Sequence, residues 1–394
     1  MMTSVDEHAQ KVAALIEPAL AVGIERLPLL EALHRVTAGG ILSPVDLPLF
    51  RNSQMDGFAV HSADVVGVPV RLPIVGEVSA RAASPAPLEP GTAVRIMTGA
   101  IVPEGADAVI PVEDTTVDGS TVTIHRSRQR GEYVRDQGSD VLAGSELVPS
   151  QQLLASRHLA VLAAAGVDHV DVHRRVRIAV ITTGAELIAP DETPKPGQIF
   201  DANSVALIAA AAACGARVTL AKRVADDPAE LLAALDEATS AADLILTSGG
   251  ISKGDYEVVR ELLEPLGAEV AHVAMQPGGP QATAVFEGVP VICFPGNPVS
   301  TQLSFEIFVA PMLRAIAGLP AASVTRRPLA HGLRSVSGKR QYLRGRVTGD
   351  GLVETVSGAG SHLVAGLAAS DVLIVVPEAA TELQAGDEVE TLTL

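Results

Sequence analysis

Three glycine-containing turns are the features of this sequence best suited to chemistry, because each follows an apolar run typical of a buried strand. They are Thr183-Gly184-Ala185-Glu186, Ser248-Gly249-Gly250-Ile251-Ser252 and Pro295-Gly296-Asn297-Pro298-Val299-Ser300. Glycine lets the backbone approach a ligand closely, and free N–H groups at the start of a helix attract phosphate or another oxyanion. One such turn commonly serves only the conformation of the chain, whereas three at one sheet edge predict an anion site. The candidate ligand-binding residues are Gly184, Ser248, Gly249, Gly250, Ser252, Pro295, Gly296, Asn297, Pro298 and Ser300.

The same predicted edge carries carboxylates, namely Glu186, Asp255 and the adjacent Asp226 and Asp227. A carboxylate repels a neighbouring phosphate unless a cation lies between them, and Mg²⁺ binds through one or two carboxylates plus substrate phosphates. These residues therefore predict a magnesium site. The alternative is helix capping: Asp227 precedes Pro228, a favourable cap and first-position pair, and for this residue both interpretations stay open. For Glu186 and Asp255 the sequence favours metal binding.

Two further polar segments lie in a valine-rich part of the chain. Asn52-Ser53-Gln54-Met55-Asp56-Gly57 precedes an apolar strand, and Arg95-Ile96-Met97-Thr98-Gly99-Ala100 ends another. Taken alone, Asp-Gly and Thr-Gly are ordinary turn sequences, so these residues by themselves favour a turn over a functional site.

The elements that must position these turns fall into distinct stretches. Residues 6–35 place Leu, Ile and Val at helical intervals, which predicts two helices, the second starting at Pro28. A helical pattern returns at 150–166. Residues 45–135 contain short valine- and isoleucine-rich runs separated by Gly, Pro or Asp-Gly, which is typical of β-structure. From Val176 apolar strand runs alternate with helices, which predicts a parallel sheet covered on both faces.

The sequence thus predicts a multi-domain α/β protein. A β-rich domain (45–135) is inserted into a helical linker domain (1–44 and 136–174). A doubly wound, mostly parallel α/β domain (175–320) follows, and then a small C-terminal β-domain (321–394). Ligands bind outside the carboxyl ends of the strands in doubly wound sheets, so the three turns belong to that edge of the α/β domain.

Composition excludes several classes of function. The 394 residues are 47% hydrophobic and 19% charged, which excludes a disordered chain. A net charge of −17 argues against a nucleic-acid or basic membrane-binding surface, and the absence of tryptophan argues against a base-stacking platform. Cys214 and Cys293 stand alone in apolar surroundings, and Asp6 and Glu7 stand where a signal peptide carries basic residues. We therefore expect a soluble, cytoplasmic protein without a membrane span.

Seven motifs in a fixed order resemble the molybdopterin molybdenumtransferase family, which includes MoeA and the gephyrin E domain. The motifs are SQMDGFAV, RIMTGAIVPEGADAVIPVED, TTGAEL, GQIFDANS, SGGISKGDY, MQPGGPQ and PGNPVSTQLSFEIFVAP. PGNP and SGG–GDY also occur in the related molybdopterin adenylyltransferases, whereas MDG and MTGA with an inserted β-domain do not. The resemblance extends from about residue 44 to about residue 317.

The resemblance implies a role in molybdenum cofactor biosynthesis, in which adenylylated molybdopterin and molybdate give the cofactor and AMP, with Mg²⁺ required. It implies an elongated homodimer whose composite active site lies between the α/β domain of one subunit and the inserted β-domain of the other. It also implies a molybdopterin adenylyltransferase and acceptor molybdoenzymes as protein partners. The implied site residues are Asp56, Thr98, Glu186 and Asp255 as catalytic residues, Glu186, Asp226, Asp227 and Asp255 as metal ligands, Asp140 in the segment GSDV, and Pro295 to Ser300 in the pterin or oxyanion pocket.

The sequence departs from the family pattern at two places. Ala185 stands where the family has the aspartate of Thr-Gly-Asp-Glu, so metal binding must depend on the other acids. Gln276 and Gly279 stand where the family has the lysines of Lys-Pro-Gly-Lys-Pro, which removes two cations that could face molybdate or phosphate. Lys253 is a candidate substitute and joins the candidate substrate-binding residues.

Two other functions stay open at this point. An adenylyltransferase of the related family would consume ATP and release pyrophosphate. A non-catalytic, gephyrin-like scaffold would bind partner proteins through the outer surfaces of the dimer. The presence of Asp56, Glu186 and Asp255 argues against a loss of catalysis.

Overall fold

The computed structural model describes residues 2–81, 83–251 and 258–394. They form two compact units: unit 1 contains residues 1–25 and 173–394, and unit 2 contains residues 26–172. In chain order, unit 2 is therefore an insertion into unit 1. The candidates Ser252, Lys253 and Asp255 lie outside the described residues.

Unit 1 begins with helix α1 (Val5–Ile16). A reciprocal capping box starts it: Ser4 Oγ accepts a hydrogen bond from the Glu7 N–H at 3.2 Å, and the Ser4 N–H donates to Glu7 Oε2 at 2.9 Å. The buried residues of α1 recur at three- and four-residue intervals and are Val5, His8, Val12 and Ile16. This spacing is the apolar stripe of an amphipathic helix.

The helical prediction for residues 6–35 is correct only for α1. The chain continues as a 3-10 turn (Glu17–Leu20), strand β1 (Ile24–Pro28) and a second 3-10 turn (Leu29–Ala32). Pro18 has no N–H to continue the helical hydrogen bonds, which limits α1. The prediction of a second helix starting at Pro28 is wrong.

Unit 2 contains short strands within residues 45–135, as the valine-rich runs there predict, and further strands on both sides of that range. They are β2 (Ile41–Leu42), β3 (Asn52–Ser53), β4 (Gly57–Val60), β5 (Val70–Val78), β6 (Ala93–Ile96), β7 (Ala108–Pro111), β8 (Thr115–Asp118), β9 (Thr121–Ile124), β10 (Val134–Arg135), β11 (Glu146–Val148) and β12 (His169–His173), with 3-10 turns at Ser62–Val65 and Val112–Asp114. Six of them form a sheet in the order β7-β4-β6-β5-β9-β8. Because β4 and β6 are antiparallel with Gly57 opposite Ile96, the residues before β4 and after β6 meet at one end of the sheet.

The helix predicted for residues 150–166 is confirmed only in its second part, α2 (Ser156–Ala164). The preceding residues form extended backbone instead. The Thr37 N–H donates to the Gln152 carbonyl at 3.1 Å, and the Leu154 N–H donates to the Arg35 carbonyl at 2.8 Å. The parts of the chain predicted as a helical linker therefore contain strands as well as helices. The strands are β1, β2, β11 and β12.

The middle of unit 1 is a sheet of six strands. The strands of this region are β13 (Arg177–Thr183), β14 (Leu187–Ile188), β15 (Ile199–Phe200), β16 (Arg217–Val224), β17 (Leu244–Ser248), β18 (Glu269–His272), β19 (Met275–Gln276), β20 (Pro280–Phe286) and β21 (Val289–Phe294). The order is β16-β13-β17-β21-β20-β18. The predicted parallel pairing is confirmed for β16, β13, β17 and β21, whereas β20 is antiparallel to both β21 and β18.

Helices cover both faces of this sheet, as predicted. They are α3 (Ala202–Ala213), α4 (Pro228–Ala241), α5 (Val258–Leu263), α6 (Pro298–Phe308) and α7 (Ala310–Ile316), with a 3-10 turn at Glu264–Leu266. Alternate residues of β13 enter opposite cores: Val180 packs with residues of α3 and α6, and Ile181 packs with residues of α4 and α5. A strand buried on both sides needs apolar residues at every position, which explains the continuous run VRIAVI. Within the described ranges, no helix has the length and apolar character needed to cross a membrane.

The C-terminal part of unit 1 is a second sheet. Its elements are β22 (Val324–Pro328), β23 (Leu333–Arg334), β24 (Arg340–Val347), β25 (Val353–Thr355), α8 (Val364–Ala368), β26 (Val372–Val376), β27 (Glu382–Leu383) and β28 (Glu388–Thr393). The order β19-β24-β26-β28-β22 includes β19, which belongs to the preceding region of the chain. The segment after β18 is therefore part of both regions of unit 1.

Asp243 lies directly before β17, at the amino ends of the parallel strands of the first sheet, and binds two arginines. Its carboxylate lies 2.8 Å from Arg177 Nη2 and 2.9 Å from Arg174 Nη1. Burial alone would raise the pKa of Asp243, but the hydrogen bonds from Arg177 and Arg174 outweigh burial and lower the pKa to about 2. The ionised form is thus favoured in the folded state.

We expect Asp243→Asn to lower the free energy of unfolding at neutral pH by about 1–3 kcal/mol, because two arginines lose their shared carboxylate. A lowered folded-state pKa adds stability above the unfolded value of 3.8, and this stability is lost as the pH falls through about 2. Denaturant unfolding of both proteins between neutral pH and pH 2 measures the difference. A difference that stays constant over this range would contradict the prediction.

Candidate functional site

The carboxyl ends of four parallel strands form one edge of the first sheet in unit 1. Ser248 pairs with Thr182 on one side and with Phe294 on the other, and Thr183 pairs with Val224. Since these strands end in register, the loops that follow them lie side by side. The structure therefore brings the described parts of the three glycine turns together.

A cavity of about 730 Å³ opens at this edge. The candidate residues that line it are Gly184, Glu186, Asp226, Ser248, Gly249, Gly250, Pro295, Gly296, Asn297, Pro298 and Ser300. Residues 276–280, Lys339 and residues 359–361 also line the cavity. Sequence reasoning did not identify the contribution of Lys339 and of 359–361, because these residues belong to the C-terminal sheet region.

The glycines of the turns pack against one another and against Thr183. Gly249 has φ +100°, and a Cβ atom on it would lie 2.6 Å from the Thr183 carbonyl oxygen. A Cβ atom on Gly296 would lie 3.3 Å from the Gly249 Cα. Glycine is therefore required here by backbone conformation and close packing, whether or not a ligand is bound.

A buried hydrogen-bond network joins the second and third turns. Asn203 Nδ2 donates to Ser248 Oγ at 2.9 Å and to the Gly296 carbonyl at 2.7 Å. Thr301 Oγ1 donates to the Pro295 carbonyl at 2.6 Å. The sequence places Asn203 within the motif GQIFDANS but gives no signal of this role. The network holds the two turns in a fixed relation although Ser248 and Pro295 are 47 residues apart in sequence.

Asp201 connects β13 to α3, the helix that carries Asn203. Its carboxylate accepts a hydrogen bond from Thr182 Oγ1 at 2.6 Å and caps α3 by accepting from the Ser204 N–H at 3.0 Å. The sequence feature that indicates the capping role of Asp201 is an aspartate directly before an apolar helix. Within the described structure, the buried atoms Asn203 Oδ1 and Thr183 Oγ1 have no hydrogen-bond partner.

The three described carboxylates of the candidate metal site differ in their local contacts. Asp226 Oδ2 accepts a hydrogen bond from the Ala185 N–H at 3.1 Å, so it is tied to the loop that carries Glu186. The Glu186 carboxylate folds back over Gly184, where a Cβ atom would lie 2.9 Å from Oε2. Asp227 caps α4 by accepting from the Ala229 N–H at 2.7 Å. The contacts thus support the capping interpretation of Asp227.

The residues of this edge fit a Mg²⁺ ion. Glu186 and Asp226 are exposed, line the same cavity and offer the oxygen ligands that Mg²⁺ prefers, and substrate oxygens and water complete such a site. Among the residues that the structure describes, no group of three His, Cys, Asp or Glu residues could hold a metal ion by itself. A metal at this edge would therefore depend on substrate as well as protein.

Arg344 lies behind the cavity wall formed by residues 359–361. It is fully buried, and its guanidinium donates to Ser357 Oγ at 3.2 Å, to the Gly360 carbonyl at 3.1 Å and to the Gly358 carbonyl. Burial lowers the pKa of this guanidinium, and Nη1 has no partner among the described residues. A buried arginine next to the cavity adds positive potential to its wall.

The candidates Asp56 and Thr98 meet in unit 2. Asp56 Oδ1 accepts hydrogen bonds from the Thr98 N–H at 2.7 Å and from Thr98 Oγ1 at 2.8 Å. The backbone hydrogen bond from Thr98, followed by that from its hydroxyl, lowers the pKa of Asp56. Asp140 is exposed on another loop, where its N–H donates to the Leu47 carbonyl at 2.9 Å.

Three known sequence families match successive parts of the chain. The MoeA N-terminal region (domain I and II) matches residues 3–166, a family described as probable molybdopterin binding domain matches 179–315, and the MoeA C-terminal region (domain IV) matches 326–394. Together they account for most of the sequence.

Relatives and a solved structure match over the full chain. The sequence is 38% identical over 407 residues to molybdopterin molybdenumtransferase 2 of Mycobacterium tuberculosis, with 100% of both chains covered. It is 34% identical over 425 residues to molybdopterin molybdenumtransferase 1 of the same organism, with 100% and 99% covered. A crystal structure of the molybdopterin biosynthesis MoeA protein from Pyrococcus horikosii superposes with a TM-score of 0.84 at 32% identity, covering 100% of this chain and 99% of that one. The chain therefore belongs to the MoeA family of molybdopterin molybdenumtransferases, the transferases of molybdenum cofactor biosynthesis.

Proposed function

We propose that this chain inserts molybdate into adenylylated molybdopterin and releases AMP in a reaction that requires Mg²⁺. The observation that carries the proposal is the cavity of about 730 Å³ where three glycine turns and two carboxylates meet. This volume lies within the range of roughly 300–1,000 Å³ typical of small-molecule sites. The names of the relatives support the substrate class.

The chemistry of the proposed reaction requires that anionic groups be held together. Molybdate is a dianion that must approach two thiolates beside a phosphoanhydride, and all of these groups repel one another. Backbone N–H groups fixed in advance stabilise such charge without reorganisation. The Asn203 network and the packed glycines keep the turns in place, and Arg344 adds positive potential next to residues 359–361 of the cavity lining.

Glu186 and Asp226 are the described residues that would hold Mg²⁺, and Asp255 is proposed as a further ligand. When bound, Mg²⁺ supplies charge neutralisation at the substrate phosphate. The Ala185 N–H orients the Asp226 carboxylate at 3.1 Å. Ala185 has no carboxylate of its own, but its backbone N–H holds the carboxylate of Asp226.

Asp56 is proposed to orient the attacking oxygen. Its pKa is lowered by the hydrogen bonds from Thr98, so the carboxylate stays ionised at neutral pH. The two hydrogen bonds from Thr98 to Oδ1 fix the position of the carboxylate, which supports an orienting role. We retain Asp140 as a further site residue and Asp227 as a cap next to the metal site.

The finer organisation of the protein is part of the same proposal. We propose a homodimer with a composite active site and the four domains 1–44 with 136–174, 45–135, 175–320 and 321–394. A molybdopterin adenylyltransferase would supply the substrate, and molybdoenzymes would accept the product. The cytoplasmic location stays a prediction from the sequence.

The direct test is to mix purified protein, adenylylated molybdopterin, Mg²⁺ and molybdate and to follow AMP. We expect AMP release that requires molybdate and saturates with it. Pyrophosphate formation from ATP and molybdopterin would instead indicate an adenylyltransferase. An absence of both products under conditions that support a known family member would indicate a scaffold.

We expect Glu186→Gln to raise the Mg²⁺ concentration needed for half-maximal AMP release by about tenfold or more, because one oxygen ligand loses its charge. Mn²⁺ binding in the presence of adenylylated molybdopterin and without molybdate, followed by electron paramagnetic resonance, checks the affinity without turnover. The matched control is Glu388→Gln, which alters an exposed glutamate of β28 and should change neither quantity. Equal Mg²⁺ dependence of the wild type and Glu186→Gln would remove Glu186 from the metal site.

A further inference from the structure

Lys339 is the only lysine or arginine among the described residues that line the cavity of unit 1. The cavity also contains Glu186 and Asp226, whose negative charge opposes the binding of an anion. The wall formed by residues 276–280 has the sequence Gln-Pro-Gly-Gly-Pro and carries no cation of its own. Arg344 is fully buried and does not line the cavity, so a direct contact between a cation and an anionic substrate has to come from another segment.

Backbone hydrogen bonds hold Lys339 beside this wall. On one side of it, the Gly338 N–H donates to the Glu378 carbonyl at 2.9 Å, and on the other, the Arg340 N–H donates to the Ala274 carbonyl at 2.8 Å. The parallel pairing of β19 with β24 places Met275 opposite Arg340. Lys339 thus lies next to the strand from which the 276–280 wall continues.

The charges around Lys339 distinguish it from its neighbour. Arg340 lies 2.8 Å from the Asp6 carboxylate and 3.0 Å from the Glu378 carboxylate, so two acids neutralise its charge. Lys339 is half-buried, and within the described part of the chain it makes no ion pair. Its ammonium group is thus available to a ligand in the cavity.

We propose that Lys339 is a substrate-binding residue that donates a charge-assisted hydrogen bond to a tetrahedral oxyanion at the 276–280 wall. The oxyanion is either molybdate or the phosphate of adenylylated molybdopterin. The inference rests on the proposed function and deepens it, because it assigns the cation that Gln276 and Gly279 do not provide. Lys339 reaches the wall from the start of β24, more than 50 residues away in sequence.

The test compares Lys339→Gln, Lys339→Arg and the wild type in AMP release, with molybdate and adenylylated molybdopterin varied in turn. We expect Lys339→Gln to raise the KM for one of the two substrates by about ten- to a hundredfold, the range of a charge-assisted hydrogen bond. Lys339→Arg should recover most of the affinity because it keeps the charge. The control is Lys222→Gln, because Lys222 pairs with Glu237 at 2.7 Å outside the cavity.

The substrate whose KM rises identifies the source of the oxyanion, and either result supports the proposal. Equilibrium dialysis with molybdate alone adds a measurement that needs no turnover. If Lys339→Gln changes neither KM and binds molybdate like the wild type, the proposal is overturned, and an effect of Lys253→Gln alone would assign the cation to Lys253. If the wild type releases no AMP but loses molybdate binding on Lys339→Gln, the proposed function fails and the anion contact stands.

Discussion

Replacing Asp56 with asparagine is expected to lower the turnover of AMP release by at least about a hundredfold while leaving folding and substrate binding intact. The substitution keeps the size of the side chain but removes the charge that Thr98 stabilises through hydrogen bonds of 2.7 Å and 2.8 Å. An orienting group can contribute about a hundredfold to a rate, because a misplacement of about 1 Å at the reacting atoms can cost that much. Steady-state kinetics, together with substrate binding by equilibrium dialysis, separate the two effects.

Two variants serve as controls for Asp56. Asp118→Asn alters another exposed aspartate of unit 2, and we expect wild-type turnover. Thr98→Ala removes one of the two donors to Asp56 but keeps the backbone N–H, so its loss should be about tenfold and smaller than that of Asp56→Asn. Normal AMP release by Asp56→Asn would remove Asp56 from the chemistry.

Gly249→Ala is expected to lower the free energy of unfolding by about 2–5 kcal/mol and to abolish most of the activity. Two costs add: a left-handed φ of +100° disfavours any side chain, and the new Cβ would lie 2.6 Å from the Thr183 carbonyl oxygen. The clash is with backbone, which cannot rotate away. Relief requires the second turn to move against Thr183 and Gly296, and a displacement of about 1 Å at a site can cost a hundredfold in rate.

Gly197→Ala is the matched control, because Gly197 has φ +87° and a Cβ atom on it would meet nothing within 4 Å. Gly197→Ala should lower the free energy of unfolding by only about 1 kcal/mol, the cost of a side chain in the left-handed conformation, and leave AMP release unchanged. Denaturant unfolding and AMP release of both variants measure the effects. If Gly249→Ala were as stable and as active as Gly197→Ala, close packing of the turns would not be required.

The sequence predicted several parts of unit 1 correctly. Continuous apolar runs identified β13, β17 and β21 as strands buried on both faces, and glycine turns identified the loops that follow them. These signals are local, because the burial of a strand and the conformation of a turn depend on a few consecutive residues. The resemblance of the motifs then led to the correct family.

Where the sequence prediction was wrong, distant contacts overrode a local pattern. The apolar spacing after Pro18 was typical of a helix, but that segment forms β1 and a 3-10 turn. The residues before α2 pair with Arg35 and Thr37 instead of extending the helix. In both cases the backbone hydrogen bonds of tertiary partners replace those of a helix.

The sequence by itself determined the buried strands β13, β17 and β21, the glycine turns, the acids that follow them and the family. The tertiary structure alone decided which of these residues meet. Pairing of β4 with β6 joins Asp56 to Thr98, capping assigns Asp227 to α4, and pairing of β19 with β24 brings Lys339 to the cavity. The physical reason is that turn and strand preferences are set by neighbouring residues. A site, in contrast, is assembled by contacts between distant segments, and their separation in sequence does not reveal their distance in space.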